Sequence, residues 1–313
     1  MKGRFAPSPT GRMHLGNLWV AILSYLSTRR QKGQFVIRIE DIDRQRSKPE
    51  FSELLLDDLE WLGFEWDEGP RVSNDDRRYY QSYRGHYYES QLNEWSSKDI
   101  IYPCYCNRSR LQTIMSAPHF GELIPIYDGR CRDAGAKIFN EIAHKKVPSY
   151  RLKVKSCLIE YIDFWQGLVS VHIEEGLHDF ILKRSDGMYA YHLASVLDDI
   201  AMGITEVLRG CDLLEPTVFQ IYLYQLLGKK VPVYKHAPLL MDTHGHRLSK
   251  RQQSITIQEL RQMGYSSYQI IGLLVEKTKL VDSRYVSSSG ISLDALLDVS
   301  LDQDVLKKPT IIL

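Results

Sequence analysis

The stretch "RFAPSPTGRMHLGNLWVAIL", residues 4–23, sets Pro7, Pro9, Gly11 and His14 ahead of an apolar run. Beyond the prolines, Leu15, Leu18, Trp19, Ile22, Leu23 and Leu26 recur at helical spacing, and Gly33 marks the end of that helix. "FVIRIED" (35–41) then reads as a buried strand closing on acids. A second helical pattern runs from about Pro49 to Trp61, with Leu54, Leu55, Leu59 and Leu62 on one side. Strands and helices alternating with glycine punctuation predict the opening of a doubly wound α/β domain.

Working outward, 313 residues suggest roughly two domains. Hydrophobic and charged contents of 43% and 25% are ordinary for a soluble globular chain. A net charge of +1 means that any nucleic-acid surface must be a local basic patch. Pro7 and Pro9 interrupt what would be a signal-peptide core, and "IIGLLV" (270–275) is far too short to span a bilayer. Five cysteines, an odd number, do not suggest a disulfide framework. A cytoplasmic, reduced protein with no membrane partner is expected.

From about 70 to 185 the pattern changes. "YRLKVKS" (150–156), "LVSVHI" (168–173) and "DFILKRS" (179–185) predict antiparallel strands in an insertion. The run "RRYYQSYRGHYYESQL" (77–92) places Tyr80, Tyr83 and Tyr87 at helical spacing, so it reads as an amphipathic helix rather than a base-stacking surface. α/β character returns at "YAYHLASVLDDIAMGITEVLRG" (189–210), and a helix from Thr217 to Leu227 follows. The remainder after Lys250 is mainly helical in pattern, broken by "SSSG" at 287–290.

Three groups of residues carry chemistry. A helix N-terminus suits an anion; Gly16 lets a flat ligand approach the backbone, and His14 can donate to a phosphate or ribose. "HGHRLSKR" (244–251) follows the apolar "APLLM" and supplies Lys250, a compact charge, and Ser249, a hydroxyl. Together the two elements could clamp one triphosphate from two sides. Cys104, Cys106 and Cys131 suit a structural zinc knuckle that needs one further ligand, with His119, Asp128 and Tyr127 nearby. Cys157 and Cys211 lie far from that trio and read as packing residues.

"HLGN" (14–17) and "RLSKR" (247–251) resemble the two signature motifs of class I aminoacyl-tRNA synthetases. "RFAPSPTG" (4–11), "RIEDID" (38–43) and "YHLASVLDDIAMGITEVLRG" (191–210) are similar to motifs of the glutamyl branch. The resemblance covers residues 1 to about 255, with five motifs in order. It implies a Rossmann-type class I catalytic domain in two halves, 1–72 and 186–255. Between them it implies an inserted, zinc-containing α+β subdomain at 73–185, and after them a short helical C-terminal extension at 256–313. The 63 residues after Lys250 are too few for the helical anticodon-binding domain of a full glutamyl enzyme, so none is expected.

The resemblance also implies roles. A glutamate substrate has two carboxylates and one ammonium. Arg4 and Arg209 match the family's carboxylate-binding arginines, Glu40 the acid that receives the α-ammonium, and Tyr191 a hydroxyl that fixes the substrate. Phe5, Ala6, Pro7 and Ser8 complete that site. Which arginine takes the side-chain carboxylate is left open. ATP falls to His14, Gly16, Asn17, Ser249 and Lys250, with His14 and Lys250 catalytic. Mg²⁺ travels with ATP, so Asp41 and Asp43 are not expected to form a protein metal site. The pattern "CYC…YDGRC" implies Tyr127 as the fourth zinc ligand.

There are departures: Arg247 stands where lysine is common, Arg251 where serine often stands, and Asn17 where many members have histidine. The short members of the branch activate glutamate and attach it to queuosine in tRNA(Asp). ATP, L-glutamate and queuosine-containing tRNA(Asp) are therefore the expected partners of a monomer. The rival readings are a short enzyme charging tRNA(Glu) and a non-catalytic RNA-binding paralogue.

Overall fold

The computed structural model describes residues 1–106, 127–133, 146–248 and 255–313. β1 (Lys2–Phe5), α1 (Leu15–Arg30), β2 (Gln34–Ile37) and α2 (Pro49–Trp61) open the chain, and β1 pairs with β2 in parallel. Pro49 occupies the first turn of α2, where its missing N–H has no partner to lose. The insertion contributes α3 (Gly85–Ser97), β3 (Ile101–Cys104), β4 (Ser149–Leu152), β5 (Cys157–Asp163), β6 (Gly167–Ile173) and β7 (Ile181–Lys183). β3, β4 and β7 form an antiparallel sheet in that order, and β5 and β6 form a hairpin.

α4 (Tyr191–Met202) ends at Gly203, whose φ of 68° is the left-handed stop that glycine takes without strain. β8 (Glu206–Gly210), α5 (Thr217–Leu226), β9 (Val233–Ala237) and β10 (Leu239–Met241) follow. α6 (Ile257–Gln262), α7 (Ser267–Lys277), α8 (Leu293–Leu297), α9 (Gln303–Leu306) and β11 (Thr310–Ile312) complete the described elements.

The central sheet runs β2-β1-β8-β9, with every pair parallel. Its strands alternate between two cores, as a sheet covered on both faces must. Phe35, Ile37 and Leu208 join α1, α2 and α7 on one face. Val36, Val207 and Tyr234 join α3, α4 and α5 on the other. α1 lies between the sheet and α8, so it is buried nearly all round and shows no clean polar face.

Two expectations need correcting. The tyrosine run is not one helix: Asp76–Tyr79 and Gln81–Tyr83 are 3₁₀ turns, and α3 begins only at Gly85. Ile39 N–H donates to Tyr79 O and Gln81 N–H donates to Ile39 O, a bridge that holds Tyr80 extended. The C-terminal extension is also not wholly helical, because β11 pairs in parallel with β10.

Gly3 on β1 shows how closely the layers approach. A β-carbon there would fall 2.1 Å from Thr28 Oγ1, which already donates to Ser24 O. Gly3→Ala should therefore lower stability by about 1–3 kcal/mol, the cost of overpacking a tight contact. Thermal unfolding against the unaltered chain checks this, and an unchanged midpoint would show that the layers yield without strain.

Candidate active site

The first site element is the mouth of α1. His14 is the N-cap, and its Nδ1 accepts the Gly16 N–H at 3.1 Å. Its own N–H donates to Asn17 Oδ1 at 3.5 Å, closing a capping box in which histidine stands for the usual serine or threonine. The open helix mouth read from sequence is thus partly closed by its own side chains. With Nδ1 accepting, a neutral ring carries its proton on Nε2 and can donate there. A β-carbon on Gly16 would sit 3.0 Å from His14 Cε1 and 3.1 Å from Leu248 O. Glycine is what lets the backbone at Leu248 lie against this turn.

The mouth opens on a cavity of about 590 Å³ at the carboxyl ends of the parallel strands, where open α/β sheets bind ligands. Arg4, Phe5, Ala6, Pro7, Ser8, His14, Gly16, Asn17, Glu40, Tyr191 and Arg209 all line it. The structure thus gathers these sequence-derived candidates around one space. Ser249, Lys250 and Arg251 lie outside the described residues. Leu248 and Arg247 also line the cavity, and Arg247 is tied to Asp212 at 2.6 Å, so the unusual arginine of the second motif has a specific partner. Arg46 borders this cavity, while its neighbours Arg44 and Gln45 border a second of about 430 Å³. Gln81 lines the second cavity and has a buried Oε1 with no partner among the described residues.

Beneath the floor lies a buried ionic cluster. Arg38 is fully buried; it donates to Asp199 Oδ1 at 2.5 Å and to Glu40 Oε1 at 2.9 Å. Arg4 Nε lies 3.3 Å from the same Asp199 oxygen and Nη1 donates to Leu208 O. Asp198 accepts from Arg84 at 2.5 Å, Tyr88 at 2.8 Å and Gln81 at 2.9 Å. Burial raises the Glu40 carboxyl above its ordinary value, with Arg38 and Arg4 opposing the shift. Burial pushes Asp199 the same way, but Arg38 and Arg4 outweigh it and keep Asp199 below the usual carboxylate value. Asp41 and Asp43 are otherwise engaged, Asp41 by the Ser82 N–H and Asp43 by Arg46.

Arg209 is held from several sides. Nε donates to His236 Nε2 at 3.1 Å, Nη1 to Tyr191 Oη at 3.2 Å and Gln220 Oε1 at 2.8 Å, and Nη2 to Thr217 Oγ1 at 2.5 Å. One Nη2 hydrogen is left among the described residues. Tyr191 accepts from Arg209, so its own O–H is available as a donor.

In the insertion, Cys104, Cys106 and Cys131 bring their sulfurs within 4.8 Å of one another. Tyr127 Oη lies 3.6 Å from the sulfurs of Cys104 and Cys106 and accepts the Cys131 N–H at 2.9 Å. The Tyr127 ring is buried, with the Arg151 guanidinium 3.9 Å from its centroid. Hydrogen bonding between Cys104 and Cys131 pulls the Cys104 thiol down and pushes Cys131 up, so the pair holds one thiolate, at Cys104. Three sulfurs and a phenol oxygen facing one another are a donor set that fits zinc. Of the other candidates, Asp128 is exposed and accepts from the Arg130 N–H, and His119 lies outside the described residues. Cys157 and Cys211 are half-buried and do not join the cluster.

Sequence reasoning missed Arg38, Asp198, Asp199, Asp163 and His236. The signal was present for the first three: a charge inside "FVIRIE" and adjacent acids inside the apolar "ASVLDDIAM" have to be paired if buried.

Residues 1–279 match the family described as tRNA synthetases class I (E and Q), catalytic domain. The glutamyl-Q tRNA(Asp) synthetase of Nitratidesulfovibrio vulgaris is 43% identical over 278 residues, 88% of this chain and 85% of that one. That of Symbiobacterium thermophilum is also 43% identical, over 90% of this chain and 87% of its own. Among solved structures, a glutamate tRNA ligase from Elizabethkingia meningosepticum in complex with its amino acid superposes with a TM-score of 0.80 at 26% identity. It covers 100% of this chain, which spans 66% of that ligase. A double-sided parallel sheet, a histidine-capped helix mouth at its carboxyl end and a family match over most of the sequence agree: the chain belongs to the class I aminoacyl-tRNA synthetases, in the catalytic-domain family of the glutamyl and glutaminyl enzymes.

Proposed function

We propose that this chain activates L-glutamate with ATP and transfers it to queuosine in tRNA(Asp). One observation carries the first half: a single cavity holds a buried carboxylate, Glu40, two buried arginines, Arg4 and Arg209, and the capped mouth of α1. That charge pattern is complementary to an amino acid with two carboxylates beside a nucleotide. The choice of acceptor follows the two relatives that match along most of their length, together with the three cysteines and Tyr127.

In this reading Glu40 receives the α-ammonium. Arg209 and Tyr191 offer only donors to the cavity and take the side-chain carboxylate. The α-carboxylate must keep a lone pair for attack, which argues against a guanidinium clamp on it. Arg4, already drawn to Asp199 and Leu208 O, sits beside Glu40 and steadies the amino-acid end. An α-carboxylate oxygen attacks the α-phosphorus of ATP; the new O–P bond forms as the bond to the bridging oxygen breaks, and pyrophosphate leaves. His14, through Nε2–H, and Lys250 stabilise charge on the phosphates. Mg²⁺ bound with ATP supplies further charge neutralisation. A hydroxyl of the queuosine ring then attacks the acyl carbon, the acyl–phosphate bond breaks, AMP leaves and the hydroxyl proton is released. Cys104, Cys106, Cys131 and Tyr127 would hold a structural zinc. We assign the two catalytic halves to 1–72 and 186–255, the insertion to 73–185 and the extension to 256–313.

Labelled glutamate should appear on queuosine-containing tRNA(Asp) and on neither unmodified tRNA(Asp) nor tRNA(Glu). Lys250→Ala should reduce glutamate-dependent ATP–pyrophosphate exchange by about 10²-fold or more, the usual size of one lost transition-state donor. Label on tRNA(Glu) would make this a short charging enzyme, and exchange undiminished in Lys250→Ala would remove that residue from the mechanism.

Metal analysis of the purified chain should find about one zinc per molecule, lost in Cys131→Ala. Zinc retained in that variant would mean the cysteine trio is not the site.

The raised pKa of Glu40 sets a pH dependence. Protonation removes the charge that holds the ammonium, so KM for glutamate should climb as pH falls, beginning above the range where exposed carboxylates titrate. A glutamate KM flat down to that ordinary range would contradict the role given to Glu40.

A further inference from the structure

Asp163 and His236 lie outside the cavity lining, yet both are fully buried and paired with each other, and His236 bonds Arg209. Asp163 ends β5 in the insertion, and His236 lies on β9 of the central sheet. Asp163 Oδ1 accepts the N–H groups of Trp165 at 3.0 Å, Gln166 at 2.9 Å and His236 at 3.3 Å. That leaves Oδ2 facing His236 Nδ1 at 2.7 Å. A carboxylate can only accept, so Nδ1 carries the ring proton and Nε2 is left with its lone pair. That lone pair takes the Arg209 Nε–H. The Thr217 hydroxyl also lies near Nε2, but its proton goes to Leu213 O at 2.6 Å. The Tyr234 ring lies nearly parallel to the imidazole, with 6.0 Å between centroids. Burial holds His236 below its ordinary pKa, which agrees with a neutral ring beside a guanidinium.

We propose that Asp163 and His236 are positioning residues for substrate selection: Asp163 fixes the His236 tautomer, and His236 fixes the rotation of Arg209 that makes the site accept a side-chain carboxylate and reject a carboxamide. The inference rests on the reading of the cavity as a glutamate-activating site. With Arg209 so held, a ligand meets one guanidinium hydrogen and the Tyr191 hydroxyl, which already accepts from Arg209. Both groups then present donors. A carboxylate satisfies both; the amide nitrogen of glutamine brings a third donor and no acceptor.

The sharpest variant is Asp163→Asn, which preserves shape. Its oxygen is needed by the three backbone N–H groups, so its NH₂ faces Nδ1 and moves the ring proton to Nε2. That proton then opposes the Arg209 Nε–H. In ATP–pyrophosphate exchange, KM for glutamate should rise roughly 10-fold or more, the worth of one charge-assisted hydrogen bond, while KM for ATP stays put. The preference for glutamate over glutamine should shrink by a similar factor. Nitrogen NMR of the histidine rings should show a Nδ1–H tautomer in the unaltered chain that changes in Asp163→Asn. His236→Gln, which carries an acceptor close to the Nε2 position, should keep a glutamate KM well below that of His236→Ala; this pair carries the test if Asp163→Asn does not fold. A folded Asp163→Asn with lowered unfolding temperature but unmoved glutamate KM and selectivity would make the pair merely structural and overturn the proposal. Equal KM values in His236→Gln and His236→Ala would do the same. If the unaltered chain shows no glutamate-dependent exchange, the functional reading itself falls and this inference with it.

Discussion

The buried guanidinium of Arg38 is the constraint around which the rest of the site is arranged. A charge taken wholly out of water has to be matched, and removing one partner of such a pair costs about 3–5 kcal/mol. Arg38 is matched by Asp199 on α4 and Glu40 beyond β2, and Asp199 also receives Arg4 from β1. The adjacent Asp198 binds Arg84, Tyr88 and Gln81 around the start of α3. Three arginines and three carboxylates thus pin the first strand, the loop after the second and two helices to one another. Glu40 can remain a carboxylate in so dry a place because Arg38 stands behind it. The group assigned to greet the substrate's ammonium is therefore maintained by a residue that the substrate never meets.

Much of this was legible from the chain alone, for physical reasons that differ by element. α2 has a proline start and a leucine stripe, both local signals, and its extent from Pro49 to Trp61 follows from them. The cavity-lining residues sit in short motifs whose spacing is set by strand ends and a helix start. The tyrosine run misled because its rings do fall at helical spacing, while a bridge to Ile39, 41 positions earlier, holds Tyr80 extended. His14 as a cap was invisible, since histidine is not among the usual capping residues. Arg38 and Glu40 are neighbours, but the other pairs of the ionic cluster and the Asp163–His236 contact join residues far apart in sequence, and no local window contains both partners.

The hairpin of β5 and β6 shows how an insertion can belong to the catalytic core. Beyond Asp163, the Gln166 amide donates to His236 O at 2.9 Å and to Leu306 O at 3.1 Å. One turn thus touches the central sheet and the C-terminal extension together. Surfaces that are separate in sequence are held here by the core that Ile159 and Ile173 share with the central sheet as well as by a few directional bonds. Such contacts fix geometry more than they add stability.

The order β2-β1-β8-β9 has a consequence for how the chain comes into being. β1 and β2 are complete by residue 37, but the strand that must lie on the other side of β1 begins at Glu206. At a ribosomal pace of 5–20 residues per second, that gap leaves an unpaired strand edge waiting for roughly 8–35 s. That edge of β1 carries Lys2, Gly3, Arg4 and Phe5, beside Phe35, Val36 and Ile37 of β2, and its open N–H and C=O groups are what another strand would pair with. The first two strands are therefore a part of the nascent chain for a chaperone to shield, and a change there that is harmless to the finished enzyme could still lower its yield.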